Sequence, residues 1–344
     1  MAISYCSGKL KKLLTILIFC TSLNAWAQDP HYSQYFSSPL TMNPALTGNF
    51  EGIYRVAANY RKQWWQVGNP FNTGTVSFEH KILRNKIEGE NRFGIGGMIL
   101  NDESLAGGFR STSGSFSVAY HQSLDALGVH SIGVGIQGSY HNRIVDFTRL
   151  TFGTQFASGG FDVSIPSGEF FPVGLKPYFD INTGLVYSYN DGENSAYLGG
   201  SIYHAAKPRF SYFQDEEARV PRRYTIHGGA NFYFSNNSYH RIMISGIYMM
   251  QNKASELNTG IAYGYYIGDE YTSKYIYMGA FYRHQDAVYP YISLQLNGMQ
   301  FGLSYDVTTS KLKNIAPKYG SIELTFIYTK PDDRKDRMVM PWNF

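Results

Sequence analysis

The chain has 344 residues, 43% of them hydrophobic and only 16% charged, with Gly 35, Tyr 29 and Phe 23. That apolar content excludes a disordered chain, and glycine without a three-residue period excludes collagen. A mean hydropathy of -0.28 with one long apolar stretch excludes a bundle of transmembrane helices, leaving a β-rich chain.

The apolar stretch comes first. Lys9, Lys11 and Lys12 precede the run Leu13 to Cys20, and Ala25-Trp26-Ala27 follows. A basic region, a short apolar region and small residues before the cut form the pattern of a cleaved signal peptide, residues 1–27, whose apolar run is too short to span a bilayer. The alternative of lipid attachment at Cys20 meets bulky Phe19 where a small residue belongs. Cleavage removes three of the 30 basic residues and both cysteines, leaving 27 basic (30 minus 3) against 26 acidic, so the formal charge falls from +4 to +1. Near-neutrality argues against a nucleic-acid partner. The loss of Cys6 and Cys20 leaves no disulfide framework and no thiolate metal site, so a closed sheet has to hold the exported fold together.

Residues 28–50 have no strand alternation, carry Pro30, Pro39 and Pro44, and mix aromatics with amides. A flexible linker is Gly/Ser-rich or charged, whereas this composition suits an extended segment that docks. It reads as an N-terminal periplasmic docking segment with Tyr35, Phe36, Asn43 and Pro44 as partner-binding anchors. Whether it plugs a lumen, lines it or meets another protein is open at this level. Trp64 and Trp65 follow at the expected rim of the first strand and complete the partner-binding candidates.

From about Ile53 the chain falls into runs of roughly ten residues with period-two alternation, separated by turn residues. Phe179, Ile181, Leu185 and Tyr187 oppose Asp180, Asn182, Gly184 and Ser188; Tyr224, Ile226 and Phe232 oppose Arg223, Thr225, His227 and Asn231. Val76, Phe78 and Ile82 oppose Thr75, Ser77, Glu79 and Lys81 in the same manner. The runs start near 52, 73, 92, 110, 130, 178, 195, 222, 240, 255, 274, 287, 300 and 319. Fourteen is an even number, as closed bacterial outer-membrane barrels require, and each run can cross the hydrocarbon layer when tilted. The fold expected is all-β: a transmembrane antiparallel up-and-down β-barrel of about 14 strands over residues 51–329, with a C-terminal periplasmic tail at 330–344. The long connections are the first, fifth, seventh and thirteenth, all odd, which with both termini periplasmic puts them outside the cell. Tyr187, Tyr189, Tyr203, Phe232, Tyr233, Tyr265, Tyr266, Tyr275, Tyr277, Tyr289 and Tyr291 read as interfacial girdles. A soluble sandwich or propeller would also alternate, but no 40 to 50 residue repeat is present.

Motifs that resemble chemistry reduce to structure. Gly133-Val134-Gly135-Ile136-Gln137-Gly138 fits GxGxxG, yet it lies inside an alternating run and opens no helix, so close packing on a small-residue strand face is the better reading. The nine histidines show no HExxH and no ligand-spaced pair, no GxSxG marks a nucleophile, and Asp215-Glu216-Glu217 reads as a solvated loop tip. The expectation is therefore no enzyme, with no catalytic, cofactor-binding or metal residues and no cofactor.

Several clusters carry a family resemblance. Gln28-Asp29-Pro30, Ser33-Gln34-Tyr35, Pro39-Leu40, Asn43-Pro44-Ala45, Tyr60-Arg61 and Gln63-Trp64 stand at the start, with Val220-Pro221-Arg222-Arg223 in the centre. Gly302-Leu303-Ser304-Tyr305-Asp306-Val307, Ser310-Lys311-Leu312 and Gly320-Ser321-Ile322-Glu323-Leu324 stand at the end. In these the chain resembles the PorP/SprF family of type IX secretion system membrane proteins. The resemblance implies a 14-stranded outer-membrane barrel of a Bacteroidetes-type cell serving secretion or gliding motility. Its implied partners are periplasmic secretion-system ring lipoproteins, the C-terminal domain of a secreted adhesin that it anchors, and outer-membrane lipid. A general diffusion channel or transporter is the alternative function.

Overall fold

The computed structural model describes residues 29–65, 70–83, 90–104, 107–169, 176–210, 217–233, 239–268, 274–310 and 320–332. The expected signal peptide and most of the expected C-terminal tail lie outside the described residues, as do Asp215 and Glu216.

The alternating runs form fourteen long strands: β1 (Tyr54–Gln63), β2 (Phe71–Ile82), β3 (Arg92–Ser104), β4 (Phe109–Ser123), β5 (His130–Val145), β6 (Tyr178–Asn190) and β7 (Ser195–Tyr203). Then follow β8 (Arg223–Tyr233), β9 (His240–Gln251), β10 (Ala254–Tyr266), β11 (Lys274–Arg283), β12 (Ala287–Leu296), β13 (Met299–Tyr305) and β14 (Ser321–Thr329). Every start lies within two residues of the alternation reading. Each strand pairs antiparallel with its sequence neighbours, and β14 pairs with β1 from Arg55↔Thr329 to Gln63↔Ser321, which closes the sheet and leaves it no edge.

The alternation sorts side chains as the pleat demands. Phe179, Ile181 and Leu185 stand outward, with Phe179 79% exposed, while Asp180, Asn182 and Ser188 are buried inside. Ile99, Ile136, Leu198 and Ile226 continue the outward apolar belt. So much exposed aliphatic surface on a closed sheet is a membrane-facing wall. Exposed tyrosines border it at both ends, including Tyr60, Tyr140, Tyr224 and Tyr282 at one and Tyr187, Tyr263 and Tyr265 at the other.

The girdle reading needs correction at Tyr203, Tyr275, Tyr277, Tyr289 and Tyr291. These five face inward and are buried. β11 and β12 carry apolar residues on both faces, Ile276, Met278 and Ile292 outside and Tyr275, Tyr277, Phe281, Tyr289 and Tyr291 inside, so alternation cannot say which face is the lumen.

The odd-numbered connections all leave one end of the barrel, here the long-loop end. The longest runs from 146 to 177 and carries a small hairpin pairing Phe156–Ala157 with Gly160–Phe161. Tight turns such as 191–194 and 297–298 lie at the opposite, short-turn end.

Candidate functional site

The lumen holds the chain's own leader. Residues 32–40 and 42–50 are all buried, in a compact path of two 3-10 turns (Tyr35–Ser37, Pro44–Leu46) around a single α-helical turn (Pro39–Met42). Proline at the start of the last two turns presets φ where no N–H partner is needed. The path runs the length of the barrel: Asp29 and Ser33 contact residues at the long-loop end, while Glu51 meets Asn190 at the short-turn end (2.8 Å).

Charged groups tie the upper leader. The Glu323 carboxylate accepts the backbone N–H groups of Ser33 and Gln34 at 2.7 and 2.9 Å, one to each oxygen. Ser33 Oγ donates to Asp306 at 2.8 Å, and Asp306 pairs with Arg61 (3.1 Å) and with Arg283. Arg61 Nη1 also donates to the His31 carbonyl at 2.6 Å. In this enclosed space each carboxylate is matched by donors, the condition under which buried charge is tolerated.

At the mouth His204 lies between two carboxylates: Nδ1 is 2.6 Å from Asp180 and Nε2 is 2.8 Å from Asp29, which also pairs with Arg223 at 3.3 Å. Burial alone would lower the His204 pKa, but Asp29 and Asp180 raise it to about 9. For Asp29 burial acts upward, yet the His204 and Arg223 cations hold it far below the ordinary carboxylate range. The raised histidine contributes its stability fully below the unfolded value of 6.5 and loses it as pH climbs through about 9. The depressed carboxylate contributes above 3.8 and loses its share as pH falls. The clasp is therefore strongest between about pH 4 and 6.5. Raising the pH from 6 to about 9.5 should cost on the order of 3 kcal/mol at this contact. The temperature at which unboiled protein loses its fast electrophoretic migration should fall more over that interval in the natural protein than in His204→Gln. Equal falls would remove His204 as the cause.

The proposed anchors are gathered here, but not for another protein. Tyr35 donates to Ser245 Oγ at 2.8 Å, and Phe36 packs against Phe281 and Tyr291 with centroids 5.3 and 5.5 Å away. Asn43 Nδ2 donates to the carbonyls of Leu185 (2.8 Å) and Gly200 (3.2 Å) and lies 3.0 Å from His227 Nε2, while its Oδ1 accepts the Ala45 N–H. Pro44 and Ala45 lie over Gly135, where a Cβ would collide with their backbone. Gly184 is likewise roofed by the Asn43 side chain. Of the GxGxxG run, Gly135 is thus part of the floor of the leader's bed, where the chain passes too close for any side chain, while Gly133 is crowded by His121 and Val186 of the wall. A periplasmic docking segment is therefore not what residues 29–50 form: these anchors bind the barrel's own wall, and no partner reaches them while the leader is seated. Trp64 and Trp65 are not part of this group; they stand at the long-loop rim, edge-on to Phe71 (5.3 Å) and Tyr305 (6.1 Å).

Alternation put Arg61, Arg223 and Glu323 on the polar faces of their strands but marked neither them nor Asp306 and His204 as a site. The available signal was the clustered motifs: Ser33-Gln34, Asn43-Pro44, Arg61, Gly302, Asp306 and Glu323 meet in the lumen, and Arg223 of the central motif holds Asp29.

The family model for the type IX secretion system membrane protein PorP/SprF matches residues 24–328. The chain belongs to the PorP/SprF family. A search of the curated proteins found no match. Among solved structures, this PorP/SprF barrel is similar to a deltaS2 mutant of the TodX monoaromatic hydrocarbon channel (9% identity, 86% of this chain and 94% of that one, TM-score 0.48). It is also similar to the KdgM porin (10% identity, 80% and 98%, TM-score 0.37) and to BamA from Haemophilus ducreyi lacking POTRA domains 1-3 (8% identity, 81% and 70%, TM-score 0.39).

Filled by its leader, the PorP/SprF lumen retains little space. Among the described residues, cavities between leader and wall measure about 20, 60 and 20 Å³. A far larger concavity, about 1060 Å³, involves Val76, Ile99, Phe301, Leu303 and Leu324, which are exposed on the membrane-facing wall. Among the described residues, no group of three or more His, Cys, Asp or Glu is placed to hold a metal ion.

Proposed function

We propose that this protein is a non-enzymatic outer-membrane component of the type IX secretion or gliding machinery of a Bacteroidetes-type cell. In this reading it binds periplasmic ring lipoproteins at its short-turn end and anchors, or helps export, a surface adhesin through that adhesin's C-terminal domain at its long-loop end. Family membership supports the setting. The observation that carries the choice of contact over passage is the leader, which occupies the lumen that a general diffusion channel would need open. The periplasmic contact then falls to the short turns and the chain beyond Lys330, and the surface contact to loops 146–177 and 204–222.

The orientation has its own test. A cysteine at Ser158 should react with a membrane-impermeant maleimide on whole cells and one at Asp191 should not; the reverse pattern would invert the barrel. For the function, affinity purification from detergent extracts should recover ring lipoproteins and an exported adhesin together. Replacing residues 205–221 with a short turn, which keeps His204 and Arg223, should release the adhesin and keep the lipoproteins. Retention of both, or recovery of neither by the natural protein, would refute the assignment.

A further inference from the structure

An interior cavity of about 60 Å³ opens beside the clasp and is lined by Asp29, His141, Arg143, His204 and Arg223 together with a row of hydroxyls and amides, Ser111, Ser113, Ser139, Gln137 and Asn182. At about 30 Å³ per water this is room for two waters or a single carboxylate group. Two features of its lining are unresolved by the leader. The Nε–H groups of Arg143 and Arg223 are both enclosed without a hydrogen-bond partner among the described residues. Arg143 also lacks a close counter-ion among the described residues: Asp29 and Asp180 are committed to His204 and Arg223, and neither lies within ion-pair distance of Arg143, on which Asp29 and Asp102 act only at longer range. The nearby carboxylate on β3, Asp102, instead accepts the Thr73 hydroxyl at 2.6 Å.

Arg143 is nevertheless held in place. Its guanidinium lies 4.6 Å from the Phe210 ring centroid and 5.8 Å from that of Tyr178, and His141 stacks on Tyr178 at 4.8 Å. Aromatic faces orient a guanidinium plane without using its N–H donors, which leaves a preorganised fork. Enclosed donors without partners cost about 1–3 kcal/mol each, so such a fork calls for an acceptor. Phe210 belongs to the loop between β7 and β8, and Arg143 is only partly buried, so the cavity communicates with the long-loop mouth.

We propose that this cavity is a carboxylate-binding site, in which Arg143, assisted by Arg223 and the serine hydroxyls, receives an acidic group of a polypeptide entering from the long-loop end. Planarity favours carboxylate, since a guanidinium fork pairs with it through two parallel bonds. The site chemistry stands on the cavity alone; its assignment to a polypeptide rests on the function proposed above.

The test uses the full-length protein in detergent at constant ionic strength, with the thermal unfolding midpoint as the readout. Acetate and acetyl-diglycine should each raise the midpoint saturably by a few degrees over chloride, and acetyl-diglycine amide should not. Arg143→Met should weaken the acetate effect at least about tenfold, the factor lost with roughly 1.4 kcal/mol of binding. Arg143→Lys should restore part of it, because the charge returns without the fork. Unboiled fast migration verifies that each variant is folded, and should Arg143→Met fail that check, Arg143→Gln takes its place. Equal effects of acid and amide, or an acetate effect unchanged by loss of the guanidinium, would overturn the site. Stabilisation by acetate but not by acetyl-diglycine would overturn the polypeptide assignment while leaving the adhesin proposal to its own purification test.

Discussion

Deleting residues 29–48 is expected to convert a sealed barrel into a conducting one. The leader fills the lumen along its whole length, and its removal leaves fourteen strands around an interior lined by Arg61, Arg283, Asp306, Glu323, Asn182 and Gln137, all of which water can solvate. A sheet of this strand number lies between the eight-stranded barrels that side chains fill and the porins of 16 to 18 strands with open channels. Closure of the sheet should survive, because β1 and β14 pair through nine backbone positions that exclude the leader. In planar bilayers the natural protein should be silent, and the deletion variant should show discrete conductance steps while keeping its heat-modifiable migration. Steps of the same size from both would mean that the seated leader is no seal, and the channel reading would then replace the contact reading.

The second large effect is expected at Asp306. This carboxylate joins Arg61, Arg283 and the Ser33 hydroxyl, and is nearly inaccessible to solvent. Asp306→Asn preserves shape but leaves two enclosed guanidiniums short of a counter-charge, the situation in which breaking a buried pair costs about 3–5 kcal/mol. The temperature at which fast migration is lost should fall sharply. A cysteine at Ser33, shielded in the otherwise natural protein, should become reactive as the upper leader loosens. An unchanged transition would mean that the cluster contributes nothing net to holding the leader.

The fourteen strands were legible in the sequence for one physical reason. Side-chain direction along a strand alternates with every residue, so Phe179, Ile181 and Leu185 declare their face without reference to anything distant. The same local rule failed at β11 and β12, where Tyr275, Tyr277 and Tyr289 make the inner face as apolar as the outer. Composition also set residues 28–50 apart, but it read Tyr35, Phe36, Asn43 and Pro44 as anchors for a periplasmic partner, whereas they are seated against the barrel's own wall.

What the anchors dock against was decided by tertiary structure alone. Ser33 finds Glu323 across 290 positions of sequence, Asn43 finds Leu185 across 142, and Asp29 finds His204 across 175. Period-two alternation states that Arg61, Asp180 and Glu323 point inward; it does not say whether water or protein meets them there. That depends on the lumen's width and on glycines such as Gly135 and Gly184 making room for the leader. Only closure of the sheet brings those distant residues to one place, and burial then makes their pairing favourable.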